Sequence, residues 1–303
     1  MADTTLRLNW PQWQGGEPEA VTHYTPGLSA EEGRVAYGVG GQLTAFLAPD
    51  HEGPIARVRV PEYSEDLPLV DGIVGKAEVL RQHEDALDLI RQANADRVVT
   101  LGGTCAVSLT PFSYLSQRYA SDFAVVWLDS HADSNLPGGP NRGFNTMVVS
   151  HLSGHGDADV LSRLPATIAT ERILLAGVHG WDDQDSHTHE SWGLQLVPPA
   201  AEENFTNRVL EWLHITGARH VAVHFDLDVI NSDEHSFGMA WEKDGISKAT
   251  ALNTIARIAS DFDLVGLTVA EFVPREAVAL QSMLRRLPLL REGQPPRTPK
   301  MTD

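Results

Sequence analysis

Short apolar runs alternate with longer amphipathic stretches along this chain. The run AVVWL at residues 124–128 is continuously apolar, which is typical of a strand buried on both faces of a parallel sheet. Similar β-rich runs predict further strands at residues 5–10, 97–101, 172–178, 220–225 and 264–269. Helices are predicted between the strands at residues 70–94, 146–152, 204–217, 247–260 and 277–290, with one more that ends at Tyr119.

Strands and helices in alternation predict a mostly parallel sheet that is covered by helices on both faces, an α/β fold. The 303 residues are enough for one large α/β domain or for two small ones. Because no internal repeat or long low-complexity linker divides the sequence, we expect a single domain over residues 1–303. Residues 11–26 are rich in Gly, Gln and Pro and are expected to form a loop, and the tail from Pro295 is expected to fray.

The central apolar run ends in a group of potential metal ligands. Asp129, His131 and Asp133 follow it within five residues. In open α/β sheets, ligands bind at the carboxyl ends of the strands. Carboxylates packed in a crevice repel one another and their pKa values rise, and a divalent cation removes that conflict. Aspartate and histidine suit manganese, zinc, iron or nickel, although a solvated acidic loop would have the same composition.

A second strand end carries two more carboxylates. The sequence HVAVHFDLD at residues 220–228 runs from a β-rich segment into Asp226 and Asp228. Their i, i+2 spacing at a strand end places both side chains on the same side. With the first group they make five ligands, four of them anionic. This set is too large for one zinc ion but suits two bridged divalent ions.

Four sequence elements, taken in chain order, resemble those of one enzyme family. They are the turn Leu101-Gly102-Gly103, D-x-H-x-D after one strand, D-x-D after another, and GLTVAEFVP at residues 266–274, which delivers an isolated Glu271. Together they resemble the arginase–agmatinase–formiminoglutamase family, the ureohydrolases, over most of the chain. The resemblance implies a single arginase-like α/β/α domain in three layers, two Mn2+ ions per chain and a small guanidino compound as substrate.

The resemblance also implies how the acidic residues would share two manganese ions. Asp129 and Asp226 would bridge the ions. Asp133 would complete the shell of the first ion, and His131 and Asp228 would complete that of the second. Lewis-acid activation lowers the pKa of bound water, which would give a hydroxide able to attack a guanidinium carbon near neutral pH.

Three residues are implied as substrate ligands. Glu271 would hold the guanidinium by a charge-assisted hydrogen bond, and with Asp129 and Asp226 it makes up the catalytic set. Asn135 and Asp182 resemble the positions that bind the amino-acid end in arginases. Asp185 lies nearby in an acid-rich segment that solvation alone would also explain.

The sequence departs from the family pattern at two positions that bear on chemistry. The family's first turn is usually Gly-Gly-Asp-His, whereas here Cys105 stands at the ligand position. A metal-bound thiol is deprotonated and binds well, but it is softer than imidazole and could weaken manganese or favour another divalent ion. A buried structural cysteine is the alternative. The family's proton-shuttling histidine is also missing, because Asn145 or Thr146 occupies its place.

The missing proton donor bears on the choice of substrate. Arginine's guanidinium is almost always protonated, whereas an N-hydroxyguanidine is less basic and depends less on such help. The cysteine in place of histidine and the missing shuttle together resemble the hydroxyarginine hydrolase type, which converts Nω-hydroxy-L-arginine to ornithine and hydroxyurea. L-Arginine, which would give ornithine and urea, is the other expected substrate. Agmatinase-like or formiminoglutamase-like activity and a metal-poor regulatory pseudoenzyme remain as alternatives. Asn135 and Asp182 weigh against agmatine, which lacks a carboxylate.

Composition restricts the partners and the compartment. The formal net charge of −18 argues against nucleic acid or an anionic membrane as a partner. The single cysteine excludes an internal disulfide and fits a reducing compartment, so with no apparent signal peptide or membrane span we expect a cytoplasmic protein. Members of the family commonly form trimers or hexamers, which makes a homo-oligomer an expectation from the resemblance.

Overall fold

The computed structural model describes residues 3–62, 67–200 and 202–291. Within these ranges, eight strands form one parallel sheet in the order β2-β1-β5-β10-β9-β6-β7-β8, and β3 and β4 form an antiparallel pair. The strands are β1 (Thr5–Trp10), β2 (Ile55–Arg57), β3 (Leu69–Val70), β4 (Ile73–Val74), β5 (Arg97–Gly102), β6 (Phe123–Leu128), β7 (Ile173–Ala176), β8 (Gln195–Val197), β9 (His220–Asp226) and β10 (Asp263–Ala270).

Helices cover both faces of this sheet. They are α1 (Pro18–Tyr24), α2 (Ala30–Leu47), α3 (Lys76–Ala93), α4 (Leu109–Tyr119), α5 (Val148–Leu152), α6 (Ala158–Arg163), α7 (Asp183–Trp192), α8 (Glu202–Thr216), α9 (Lys248–Asp261) and α10 (Ala277–Leu284). Among the described residues, no helix is long and apolar enough to cross a bilayer.

The central strand β6 is buried on both faces, as its apolar run predicts. Val125 and Trp127 pack into one core cluster, with residues of α3, α4 and α5. Val126 and Leu128 pack into the other, with residues of α8, α9 and α10. Alternate side chains of a strand point to opposite faces, so one strand contributes to both cores. The fold therefore has three layers, α/β/α, around a parallel sheet.

The predicted strands are all present, but several predicted helix boundaries were wrong. The helix predicted at residues 70–94 begins only at Lys76, because residues 69–74 form the β3–β4 hairpin. Residues 11–26 are not all loop, since they contain α1. The last helix ends at Leu284 instead of residue 290, and the predicted fraying from Pro295 lies outside the described residues.

Helix α2 is the largest element that the sequence pattern did not predict. It packs against the carboxyl end of the sheet at glycines instead of side chains. A Cβ atom on Gly40 would lie 1.7 Å from the carbonyl oxygen of Phe272, and one on Gly41 would lie 2.8 Å from that of Gly102. Only glycine allows this approach. The close packing brings Tyr37 of α2 to the edge where the acidic residues lie.

Candidate metal centre

Four adjacent strands place potential metal ligands at the carboxyl end of the sheet. Because β5, β10, β9 and β6 are neighbours in that order, the residues that follow them meet at their carboxyl ends. Cys105 follows β5, Asp129 follows β6 and Glu271 follows β10, whereas Asp226 is the last residue of β9. Asp226 pairs with Ala270 in the strand register, which places Glu271 directly beside it.

The predicted ligands form three overlapping groups of donor atoms. In each group, one donor atom per residue lies within 4.8 Å of every other. Ligand atoms bound at about 2.0–2.3 Å to a common ion are separated by less than about 4.6 Å, so this spacing is compatible with metal binding. The groups are Cys105, Asp129, Asp133 and His224; Asp129, His131 and Asp228; and Cys105, Asp226 and Glu271.

Shared members join these groups into one cluster. Asp129 belongs to two groups, and Cys105 also belongs to two. The Cys105 thiol donates to Asp226 Oδ2 at 3.0 Å. Asp228 Oδ2 lies 3.1 Å from His131 Nδ1. The structure thus brings all six predicted metal ligands and Glu271 together.

Without bound cations, the buried carboxylates of this cluster repel one another. Desolvation raises the pKa of Asp133 well above its usual value, and the neighbouring Asp129 adds to the rise. Desolvation likewise raises the pKa of Asp226, with a further contribution from Asp228. Burial and the surrounding carboxylates also raise the pKa of the Cys105 thiol. Cations would relieve this repulsion and favour the ionised forms of all these groups.

Unpartnered polar atoms in the cluster also fit bound cations. Within the described part of the chain, Asp129 Oδ2, Asp133 Oδ2 and His224 Nε2 are buried without a hydrogen-bond partner. Buried polar atoms are normally satisfied, and each exception needs an explanation such as an ion. Two carboxylate oxygens and an imidazole nitrogen are suitable ligands for manganese or zinc. The residues present therefore fit a divalent metal centre.

Two members of the cluster have strained backbones. Asp133 has a φ of 47° and Glu271 a φ of 64°, both in the left-handed region that residues with a Cβ rarely adopt. The strain at Glu271 is held by hydrogen bonds, since its amide donates to the carbonyl of Gly103 and its carboxylate accepts from the amide of Cys105. Such strain persists where surrounding contacts enforce it, and it is concentrated at functional sites.

A cavity of about 520 Å³ opens onto the cluster. Carboxylates and amides dominate its polar lining, and none of the described residues that line it is Lys or Arg. Its volume is within the range of small-molecule sites. The cavity is therefore suited to a small cationic compound.

Both predicted ligands for the amino-acid end lie at this cavity. Asn135 donates from Nδ2 to Asp182 Oδ2 at 3.0 Å, and Asn141 donates to the same oxygen at 2.6 Å. Asp182 also caps helix α7, where its other oxygen accepts from the amide of Asp185. The carboxylate of Asp185 accepts hydrogen bonds from the Ser134 amide and hydroxyl, which gives it a structural role as well as a place in the lining.

The two residues expected in place of the proton-shuttling histidine lie at the cavity wall. Both Asn145 and Thr146 line the cavity. His151 is buried and fully engaged, because Nδ1 contacts the Met147 carbonyl and Nε2 accepts from the Asp157 amide. Because both ring nitrogens are engaged, His151 has a structural role.

Three residues of the site were not assigned a role from the sequence. Tyr37 of α2 lines the cavity with Glu271, and burial together with the Glu271 carboxylate raises the pKa of the Tyr37 hydroxyl well above its usual value. Glu242 lies 3.7 Å from His131 Nε2. His224 lies two residues before Asp226, and an imidazole inside an apolar strand was the signal that could have identified it.

Residues 47–284 match the sequence profile of the arginase family. The fold is similar to that of Entamoeba histolytica arginase in complex with L-ornithine, with a TM-score of 0.73 and 16% identity over 94% of this chain and 97% of that one. Bacillus cereus arginase gives a TM-score of 0.74 and 13% identity over 96% and 99% of the two chains. Bacillus subtilis formimidoylglutamase gives 0.63 and 12% over 94% and 86%. No curated protein sequence matches this chain.

At these identities the solved structures show a shared fold, and the profile match identifies the family. The match spans most of the chain and includes all four strands that deliver the clustered side chains. The chain belongs to the arginase family, whose members are hydrolases that act on the C–N bonds of guanidino groups.

Proposed function

We propose that this protein is a binuclear metal hydrolase that converts Nω-hydroxy-L-arginine to ornithine and hydroxyurea, with L-arginine as the slower substrate. The observation that supports this most directly is the overlap of three groups of donor atoms beside an acidic cavity. The overlap through Asp129 and Cys105 is what two ions with shared ligands require. We also propose that residues 1–303 form one arginase-like domain and that the protein is cytoplasmic.

The six clustered ligands would hold two divalent ions, and manganese is the ion we propose. Asp129 and Asp226 would contact both ions. When bound, the ions would polarise the substrate and lower the pKa of a water molecule so that it can act as a nucleophile. Ser130 orients one ligand by donating from its hydroxyl to Asp228 Oδ1 at 2.6 Å. Such outer contacts fix ligand geometry and tune the site.

Glu271 would bind and orient the guanidino group. Its carboxylate accepts a hydrogen bond from the amide of Cys105 at 2.9 Å, and the Cys105 thiol lies 3.4 Å from the same oxygen. A carboxylate held in this way presents a fixed acceptor to a cationic N–H donor, and such charge-assisted bonds are roughly twice as strong as neutral ones.

The amino-acid end of the substrate would lie against Asp182. Its carboxylate would accept the α-ammonium group, and the amides of Asn135 and Asn141 would hold the α-carboxylate. Both amides already lie within hydrogen-bond distance of Asp182, so the three groups form one preorganised patch. Agmatine has no α-carboxylate for these amides to bind, which favours an amino-acid substrate.

The lack of a histidine at positions 145 and 146 supports the hydroxyguanidine preference. Neither Asn145 nor Thr146 at the cavity wall titrates near neutral pH. Release of a leaving amine from the strongly basic arginine therefore lacks help that the family usually supplies. The leaving group is the δ-amine of ornithine in both reactions, but an N-hydroxyguanidine is itself less basic than a guanidine and would depend less on such help.

A substrate panel with manganese-loaded protein tests the proposal. Ornithine is detected together with hydroxyurea or urea, and agmatine and formiminoglutamate complete the panel. We expect kcat/KM to be highest for hydroxyarginine. Thr146→His should lower the ratio of kcat/KM for hydroxyarginine to that for arginine, because it restores a titratable group. Equal or faster turnover of arginine by the wild type would contradict the preference. A chain that retains no manganese and turns over none of these compounds would instead be a regulatory pseudoenzyme.

A further inference from the structure

We propose that His224 is a ligand of the first metal ion, which it binds through Nε2 together with Cys105, Asp129 and Asp133. The inference rests on the binuclear centre proposed above and adds a ligand to it. The family's turn usually supplies a histidine where this chain has Cys105. In this chain, the imidazole would reach the same ion from a different strand.

The donor atoms have the spacing that one ion requires. One atom each from Cys105, Asp129, Asp133 and His224 lies within 4.8 Å of all the others. These four residues come from the ends of two strands, from the interior of a third and from a strained loop position. Such a convergence of two carboxylates, a thiol and an imidazole forms a mixed oxygen, sulfur and nitrogen set that suits first-row divalent metals.

Two of these donor atoms lie opposite each other but do not form a hydrogen bond. His224 Nε2 lies 3.5 Å from Asp129 Oδ2, which is too long for a good hydrogen bond. Both atoms are buried, and within the described residues neither has a hydrogen-bond partner. His224 itself is 0% exposed, so bulk water does not reach the ring. An ion that contacts both atoms would satisfy them together.

The other ring nitrogen is already fixed. Nδ1 of His224 lies 2.7 Å from the hydroxyl oxygen of Ser108, in the turn that also carries Cys105. If Nδ1 donates its proton to that oxygen, the lone pair of Nε2 is free for a metal. Metal-binding histidines usually have such an outer partner, which sets the tautomer and the ring orientation.

The ring is also held in place by packing. It stacks on the indole of Trp127 with centroids 3.7 Å apart and an interplanar angle of 12°. Trp127 is the register partner of His224 on the neighbouring strand β6, two residues before Asp129. The strand that supplies Asp129 therefore also orients the ring of His224 toward it.

A second buried histidine shows that burial and an unpartnered nitrogen are not sufficient. His83 also contacts a hydroxyl through Nδ1, that of Thr110 at 2.7 Å, and its Nε2 is also unpartnered among the described residues. The rings around it are those of Trp10 and Phe144, and it belongs to none of the three groups of donor atoms. His224 differs because carboxylates and a thiol surround its free nitrogen. His83 is therefore a matched control.

Metal content provides the first test. Wild-type protein loaded with manganese(II) should retain about two ions per chain after dialysis. His224→Gln should weaken manganese binding at one site by more than about 100-fold, because loss of an outer partner alone costs about 10- to 100-fold. His83→Gln should retain both ions. Ser108→Ala should weaken the same site by about 10- to 100-fold through loss of the ring's anchor.

Pulsed electron paramagnetic resonance of manganese(II) provides a test that leaves His224 in place. Protein labelled with 15N-histidine and carrying His131→Ala, a substitution at a partly exposed position, should still show one coupled imidazole nitrogen. No coupled nitrogen in that protein would overturn the inference, even if His224→Gln fails to fold. Two retained ions of unchanged affinity in a folded His224→Gln would also overturn it while leaving the binuclear centre intact. Failure of the wild type to bind manganese would overturn the proposed function together with this inference.

Discussion

Without its metal ions, the folded chain should become less stable as the pH rises. The titration of Glu271 should account for part of this loss. In the metal-free protein, burial raises the pKa of Glu271 from 4.5 to about 7. The folded state then retains a proton that the unfolded state releases. The contribution of Glu271 to stability is therefore fully present below pH 4.5 and is lost as the pH rises through about 7.

The size of the effect follows from the shift in the pKa. At about 1.4 kcal/mol per pKa unit, a rise from 4.5 to about 7 corresponds to about 3 kcal/mol of unfolding free energy above neutral pH. Glu271 is 5% exposed, so solvent screening reduces this value little. Bound cations should reverse the trend, because they favour the carboxylate over the carboxylic acid.

Urea unfolding of protein treated with EDTA measures this directly. Wild type and Glu271→Gln are compared between about pH 5 and pH 8, and the variant should gain about 3 kcal/mol relative to wild type over that range. Glu190→Gln, which changes an exposed residue of α7, is the matched control and should follow the wild-type curve. Parallel curves for wild type and Glu271→Gln would refute the reasoning, since they would mean that Glu271 binds no extra proton in the folded state.

Three further predictions concern single residues. Cys105→Ala should lose manganese on dialysis and Cys105→His should retain it, as measured by metal analysis; retention in both would exclude the thiol as a ligand. Asp182→Asn should raise the KM for the amino-acid substrate about 10- to 100-fold with little change in kcat, because a hydrogen bond to a charged group contributes about 1.5–3 kcal/mol; steady-state kinetics with an unchanged KM would contradict this. Gly40→Ala would place a Cβ 1.7 Å from the carbonyl oxygen of Phe272, so urea unfolding should show a loss of at least about 1–3 kcal/mol. Val39→Ala, at an exposed position of the same helix, should change stability by less than about 0.5 kcal/mol, and equal effects of the two would contradict the packing argument.

From the sequence, the start of α3 was predicted too early and α2 was not predicted. In both cases a short local motif indicated the observed structure, but the apolar periodicity did not. Asp71-Gly72 lies between apolar pairs, and both residues adopt positive φ, as two-residue hairpin turns require. Helix α2 begins with a capping box, in which Ser29 and Glu32 satisfy each other's backbone amides. Its glycines lower helix propensity, so the apolar pattern alone gave no indication of a helix there.

Some residues of the candidate site could be identified from local sequence, and others only from tertiary contacts. Asp129, Asp226 and Glu271 could be identified from the sequence, because carboxylates that end apolar strands leave a local pattern. Tyr37 and the free nitrogen of His224 could not. Their importance depends on contacts between segments far apart in the chain, such as the packing of α2 on Phe272 and the approach of His224 to Asp129.

The sequence by itself determined the parallel α/β/α architecture and the strand ends that carry acids, because strand periodicity and the change from apolar to acidic residues are properties of short segments. The tertiary structure alone decided which donor atoms lie close enough to share an ion, that Asp185 accepts hydrogen bonds from Ser134, and that α2 packs beside the site. These outcomes depend on distances of a few ångströms between residues that the order of the strands brings together, and no local pattern encodes such distances.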